Sequence, residues 1–458
     1  MRLSVKLAAA AMVMASCTTA PKSDMPTRAV IAESTLPPMK VFTTPRPKAP
    51  TEANADIATD FMALHFQLES GRTIDTFTRF ETPVTVRVTG APPASLGPDL
   101  RRLIQRLRSE AGIDISEITT GTANITIEAV PREDIRRALP QAACFVVPNV
   151  SSLQEFKRDR RRAKTNWALL EKRERLAVFV PNDTSPQEIR DCLHEELAQA
   201  LGPLNDLYRL DESIFNDDNV HRVLTGFDML ILRATYAPDL HTGMTASQVA
   251  AQLPAILARL NPAGAGKPAQ NVEPTPRVWI NAVQTALGPG ADPDARRKAA
   301  DLALSTAIQH GWQDHRRAFS HYIVGRMAQY SDPDLADRHY AAAQYYLSKS
   351  PSSALQSAYV TTQTAAIAIT RGDAGGAIRQ LDPAIAVARQ SENASLLATL
   401  MLLKAEALEL TGHPDQARAV RLDSLGWARY GFGADWVVRQ KMREIAALNP
   451  LKGSDGSI

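Results

Sequence analysis

The sequence predicts an α+β domain followed by an all-α stack of helical hairpins. Three observations predict it. Between residues 84 and 201, short runs alternating apolar and polar residues take turns with stretches whose apolar residues recur every three or four positions. Beyond Pro262–Pro268 the strand-type runs disappear and the composition turns alanine-rich. In that second half a short motif recurs with a period of roughly 40 residues, the mark of a stacked repeat.

The 458 residues exceed one ordinary core and suit two or three domains. Lysine plus arginine total 52 against 49 aspartate plus glutamate, a balance that excludes a dedicated nucleic-acid binder. Three cysteines are too few for a disulfide scaffold or a zinc–cysteine domain. No apolar run reaches the roughly 18–20 residues that span a bilayer.

Arg2 and Lys6, the apolar stretch Ala8–Ala15 and the small residues after it describe a secretory signal over residues 1–16. Met14-Ala15-Ser16-Cys17 resembles the lipobox of bacterial lipoproteins, which implies lipidation of Cys17. Thr18 in the next position implies sorting to the outer membrane, with the protein facing the periplasm. Residues 17–57, with prolines from Pro21 to Pro50, are expected to be a flexible tether. In an oxidising compartment Cys144 and Cys192 are expected to form a disulfide, two separate buried thiols being the alternative.

A first domain is expected over residues 58–258. Val84–Val88, Asn124–Glu128, Cys144–Val147 and Leu176–Val180 read as strands. Asp99–Glu110, with Leu100, Leu103, Ile104 and Leu107 on one face, reads as an amphipathic helix. The basic run Lys157–Lys164 reads as a solvated face, with attachment to an anionic envelope surface as the competing use. Ser185-Pro186-Gln187-Glu188 is the clearest helix start in the chain, and Gly202 the stop. On that helix Ile189, Cys192, Leu193, Leu197 and Ala200 form an apolar face. Glu196 lies in its middle, Glu195 and Gln199 at its edge, and His194 on the opposite, wet side. A carboxylate within an apolar stripe is costly unless paired, neutral or bound, so Glu196 is the principal functional candidate, a structural carboxylate being the alternative.

From Glu195 to Asn205 the chain resembles the metzincin zinc-protease pattern H-E-x-x-H-x-x-G-x-x-H with its ligands replaced. Aligned on Gly202, Glu195 stands at the first histidine, Glu196 at the general-base glutamate, Gln199 and Asn205 at the second and third histidines. Ser213-Ile214-Phe215-Asn216 resembles the Met-turn with Phe215 for methionine, and Leu224-Thr225, Asp228 and Tyr236 resemble the last helix of matrixin-type domains. The pair His194-Glu195 does not start an HExxH motif, because position 198 is alanine. Over roughly residues 60–250 the chain is also similar to the bacterial domain-of-unknown-function 2927 family, whose members are secreted or lipid-anchored and carry the Glu-Glu-x-x-Gln form. Glu195, Gln199 and Asn205 are poor zinc ligands and suit a harder ion or none. The expectation is therefore a degenerate, metzincin-like peptidase fold kept for binding, without cofactor. The alternative is a divergent metallopeptidase with Glu196 as base and a non-histidine metal site. His221 and His241 read as solvated loop residues, and no phosphate loop, dinucleotide fingerprint or nucleophile elbow is present.

Residues 259–274 are expected to be a linker, and 275–450 a helical-hairpin solenoid. Gly372-Asp373-Ala374 with Ala377 aligns with Gly412-His413-Pro414 and Ala417, and fainter copies surround Asp332-Pro333 and Asp292-Pro293. A glycine that closes one helix five residues before an alanine on the next resembles tetratricopeptide repeats, at a longer spacing. Such stacks offer concave surfaces to protein or peptide partners. The cleft beside Glu196 is expected to take an extended chain along a sheet edge. The implied partners are a protein or peptide and, through Cys17, a membrane, but no nucleic acid.

Overall fold

The computed structural model of the chain describes residues 34–43 and 47–452. The expected signal over residues 1–16 and the expected lipidation at Cys17 lie outside the described residues. From Leu36 onward the chain forms one compact unit.

Its first part is built on a five-stranded sheet. After α1 (Asn54–Phe66) come β1 (Val84–Gly90), α2 (Leu96–Glu110), β2 (Ile115–Glu117), β3 (Ile125–Val130), α3 (Arg132–Ala138), β4 (Phe145–Pro148), α4 (Leu153–Asp159), β5 (Leu176–Pro181) and α5 (Pro186–Leu201). The strand order is β2-β1-β3-β5-β4, parallel throughout except for β4, which pairs antiparallel to β5 with Val146 opposite Val178. All six residues of β5 are buried, as a strand covered on both faces requires. Its side chains part by the period of two: Leu176, Val178 and Val180 face the large core with α2 and α5, whereas Ala177 and Phe179 join Ile135, Phe145 and Leu153 under α3 and α4. Two more helices, α6 (Gly226–Thr235) and α7 (Ala246–Leu260), complete the large core.

The second part is all helix: α8 (Arg277–Leu287), α9 (Pro293–Gln309), α10 (His315–Ala328), α11 (Pro333–Leu347), α12 (Ala354–Thr370), α13 (Ala374–Gln390), α14 (Ala394–Leu410), α15 (Pro414–Phe432) and α16 (Asp435–Ala446). Consecutive helices pack as hairpins, α8 with α9 through α14 with α15, and α16 closes on α14 and α15. The repeated motif opens the second helix of each hairpin. Asp292, Asp332 and Asp373 accept the backbone N–H of Ala295, Leu335 and Gly376 as N-caps, and Pro293, Pro333 and Pro414 occupy the first turn. Gly372 takes φ +79° and Gly412 φ +76° at the ends of α12 and α14, a left-handed conformation that glycine adopts without strain. Ala377 and Ala417 are fully buried where the two helices of a hairpin approach.

The two parts share an interface. Gln187 on α5 bonds Asn393 and Ser395, Arg190 pairs with Glu392 at 3.1 Å, and Tyr430 donates to Asp99 at 2.9 Å. The linker residues are tied down as well, Gln270 and Asn271 donating their N–H groups to Asp56 on α1.

One expectation changes here and another is sharpened. From Leu36 the proline-rich segment is not a free tether. Arg429 donates to Pro37 O at 2.8 Å, Lys40 N to Gly426 O at 3.0 Å, and Phe42 stacks on Trp427 at 4.5 Å. One buried aromatic side chain secures a strap that proline content alone makes look loose. The basic run has the exposure of a solvated face, Arg158 and Arg160–Arg162 included, but it is not bare: Asp159, almost wholly buried, pairs with Arg158, Arg162 and Lys164, while Lys157 pairs with Asp134.

Candidate functional site

Helix α5 carries the candidate residues, and both its ends are fixed. Ser185 Oγ accepts the Glu188 N–H at 3.2 Å, with Pro186 in the first turn. At the other end Arg173, buried to 4% exposure, donates to the carbonyls of Gln199, Ala200 and Gly202 at 2.6, 2.7 and 2.5 Å. The carbonyls left over at a helix terminus are thereby satisfied. Tyr236 Oη donates to the Leu201 carbonyl as a further lock. Gly202 is required for space: a Cβ there would lie 2.9 Å from Thr235 Cγ2 and 3.1 Å from His65 Nε2.

Glu196 is 5% exposed, and no hydrogen bond is made to its buried Oε2. Burial holds its carboxyl well above the usual range, and the nearby charges of Glu195 and Glu69 add to the effect. Glu195, half-buried one residue earlier, is pushed up to about 8 by burial and then by Asp217 and Glu69. Asp206 is raised well above its ordinary value by burial and by the neighbouring carboxylates of Glu69 and Glu195, and its buried Oδ1 has no hydrogen-bond partner. Asp217 is raised by burial but relieved by the Tyr208 hydroxyl, which donates at 2.9 Å. These five acids form a nest that stays partly protonated at neutral pH.

The other candidate positions are placed as follows. Gln199 is buried at the end of α5. Asn205 is buried, and its Nδ2 donates to the Ala63 carbonyl at 3.0 Å, so its amide is engaged with α1. Phe215 is fully buried in the large core. The turn that holds it is organised by Asp228, whose carboxylate accepts from Ser213 Oγ, Ile214 N and Thr225 N at 2.5, 3.1 and 2.7 Å. Cys144 and Cys192 are joined in a disulfide that ties the start of β4 to α5, one turn before Glu196.

His194 does not face water. It is buried, and its Nδ1 accepts the Leu224 N–H at 3.1 Å, because the segment leading into α6 covers the side of α5 that an isolated helix would leave wet. His221 is half-buried rather than solvated, and burial lowers it to about 4. His65 bonds Phe61 O and Thr235 Oγ1, while His241 is exposed.

This donor set does not fit the zinc that a metzincin-type site would hold. Zinc sites draw on imidazole and thiolate, and here the imidazoles of His65 and His194 are engaged elsewhere, as is the Asn205 amide. Among the described residues no three His, Cys, Asp or Glu side chains are grouped to hold a metal ion.

The sheet edge beside α5 is covered. All four residues of β4, the edge strand beside α5, are buried. An accessible cavity of about 250 Å³ lies instead between the segment 208–222 and helices α8, α10 and α12. Trp279, Phe319, Tyr322 and Tyr359 wall it, and Arg222, Arg316 and Arg326 line it against one acid, Asp218.

Sequence reasoning missed Glu69 and Arg173 and gave Asp206 and Asp217 no role in the site. Asp217 was within reach as part of an acidic stretch just beyond Phe215. Glu69 and Arg173 come from other elements, and no local pattern marks them.

The arrangement defines a mixed α/β domain with a carboxylate-lined helix, covered by a stack of helical hairpins. Residues 54–255, from the start of α1 into α7, match the model of a family described as a protein of unknown function, DUF2927. No curated protein and no solved structure matches the chain.

Proposed function

We propose that the protein is a membrane-anchored periplasmic adaptor that binds protein or peptide partners, built on a catalytically degenerate, metzincin-like domain and a tetratricopeptide-like stack. The allocation of donors around α5 supports this reading. Glu195 and Glu196 stand where a peptidase would need a metal ligand and a base, yet both are held towards the neutral form. A carboxylic acid held in its neutral form is a poor general base. Asn205 meanwhile serves as a structural amide.

Digestion of a mixed peptide library by the full mature chain tests the reading. The expected outcome is no new peptide termini. Cleavage that is lost both with a chelator and in Glu196→Gln would overturn it. It would establish the rival reading, a divergent metallopeptidase, which the unpartnered Oε2 of Glu196 favours. Anchoring is tested by Cys17→Ser, which should move the protein from the membrane fraction to the soluble periplasm.

A further inference from the structure

The cavity between segment 208–222 and the helical stack has a chemistry that narrows the partner, provided the adaptor reading holds. We infer that it captures the C-terminal residue of a partner polypeptide, with a large apolar side chain among the aromatic rings and the α-carboxylate on Arg326.

Size sets the first limit. About 250 Å³ is small beside the roughly 300–1,000 Å³ of sites that enclose whole small-molecule ligands, and suits one anchoring side chain. The walls set the second. Trp279, Phe319, Tyr322 and Tyr359 present ring faces and edges, the surface that buries an aromatic or branched aliphatic side chain.

Charge sets the third. Of the three arginines, Arg222 is paired with Asp191 at 3.0 Å and Arg316 with Asp314 at 2.7 Å. Arg326 donates only to the Tyr322 hydroxyl, at 3.1 Å, and among the described residues no carboxylate pairs with it. A guanidinium with free donors beside an apolar recess matches a carboxylate a few bonds from an apolar side chain. A terminal residue carries both groups on one Cα. A neighbouring acidic side chain would not serve, because successive side chains of an extended segment point to opposite sides. Two further wall atoms, Arg222 Nε and Gln356 Oε1, are buried without partners. A bound terminal residue that parted the wall would supply an acceptor and a donor to them.

The test is fluorescence anisotropy of the full chain with dansyl-labelled hexapeptide pools ending in Phe, Tyr, Leu or Ile, each as free acid and as amide. At least one free-acid pool should bind, with its amide weaker by about tenfold or more. Arg326→Gln should lower the free-acid affinity to that of the amide, and Phe319→Ala should weaken both. Arg326 is exposed, so its replacement leaves the core intact. Equal binding of acids and amides, binding unchanged by Arg326→Gln, or no binding by any pool would each overturn the assignment. Mass spectra of the recovered peptides separate the two readings: cleavage would sink the adaptor while leaving the cavity assignment standing, and intact peptides indifferent to Arg326 would sink the cavity alone.

Discussion

Replacing Glu195 by glutamine should stabilise the protein at neutral pH and do nothing at acid pH. In the unfolded chain a glutamate titrates near its ordinary value of about 4.3, whereas in the folded protein Glu195 is pushed up to about 8. Between those values the folded state holds more protons than the unfolded state, so stability falls as pH rises through that window. At pH 7 the interval is about 2.7 units, equivalent to roughly 3.7 kcal/mol at 1.36 kcal/mol per unit. The figure is an upper one, because Glu196, Asp206 and Glu69 share the same charge and relax when one member is removed. Glutamine keeps the shape and removes the ionisation. Urea unfolding followed by far-UV circular dichroism from about pH 3.5 to 9 should show the two proteins converging at the acid end. Above pH 7 the variant should lead by one to a few kcal/mol. A variant that is less stable at every pH would refute the reasoning, and would mean that the Glu195 charge is compensated, as by a bound cation.

Two further outcomes follow from geometry. Gly202→Ala should cost about 1–3 kcal/mol, because the new methyl group meets Thr235 and His65, both buried and bonded to each other; thermal unfolding reads it. Reduction of the bridge between Cys144 and Cys192, 48 residues apart, should cost about 4 kcal/mol on the chain-entropy account, visible as a lower urea midpoint with reductant.

Much of the scaffold could be read from local pattern. The strands over 84–88, 124–128, 144–147 and 176–180 fall within a residue or two of β1, β3, β4 and β5, because each alternates or is uniformly apolar between turn residues. The ends of α5 were legible in Ser185, Pro186 and Gly202, although Gly202 serves by its small size rather than by a left-handed backbone. The N-caps of α9, α11 and α13 were legible in the recurring aspartates. The bridge between Cys144 and Cys192 was foreseen, but the surroundings of single side chains that depend on distant segments were not. His194 lay on the polar side of an isolated helix, but α5 is packed all round, and that covering comes from distant segments. The acid nest was half visible in Glu195 and Glu196, and hidden in Glu69, which arrives from the turn beyond α1. The strap was hidden because its single anchoring ring, Phe42, finds its partner Trp427 nearly four hundred residues downstream.

The bonds from Gln187 and Arg190 to residues 392–395 bear on the order in which the molecule is made. The sheet domain emerges first from the ribosome, yet its central helix is completed by groups 202 to 208 residues further along. Until those arrive, a buried guanidinium and a buried amide lack their partners, which disfavours early closure of the domain. The domain synthesised first is thereby finished last. A chain truncated before α13 would leave its principal helix uncovered, a ready target for proteases.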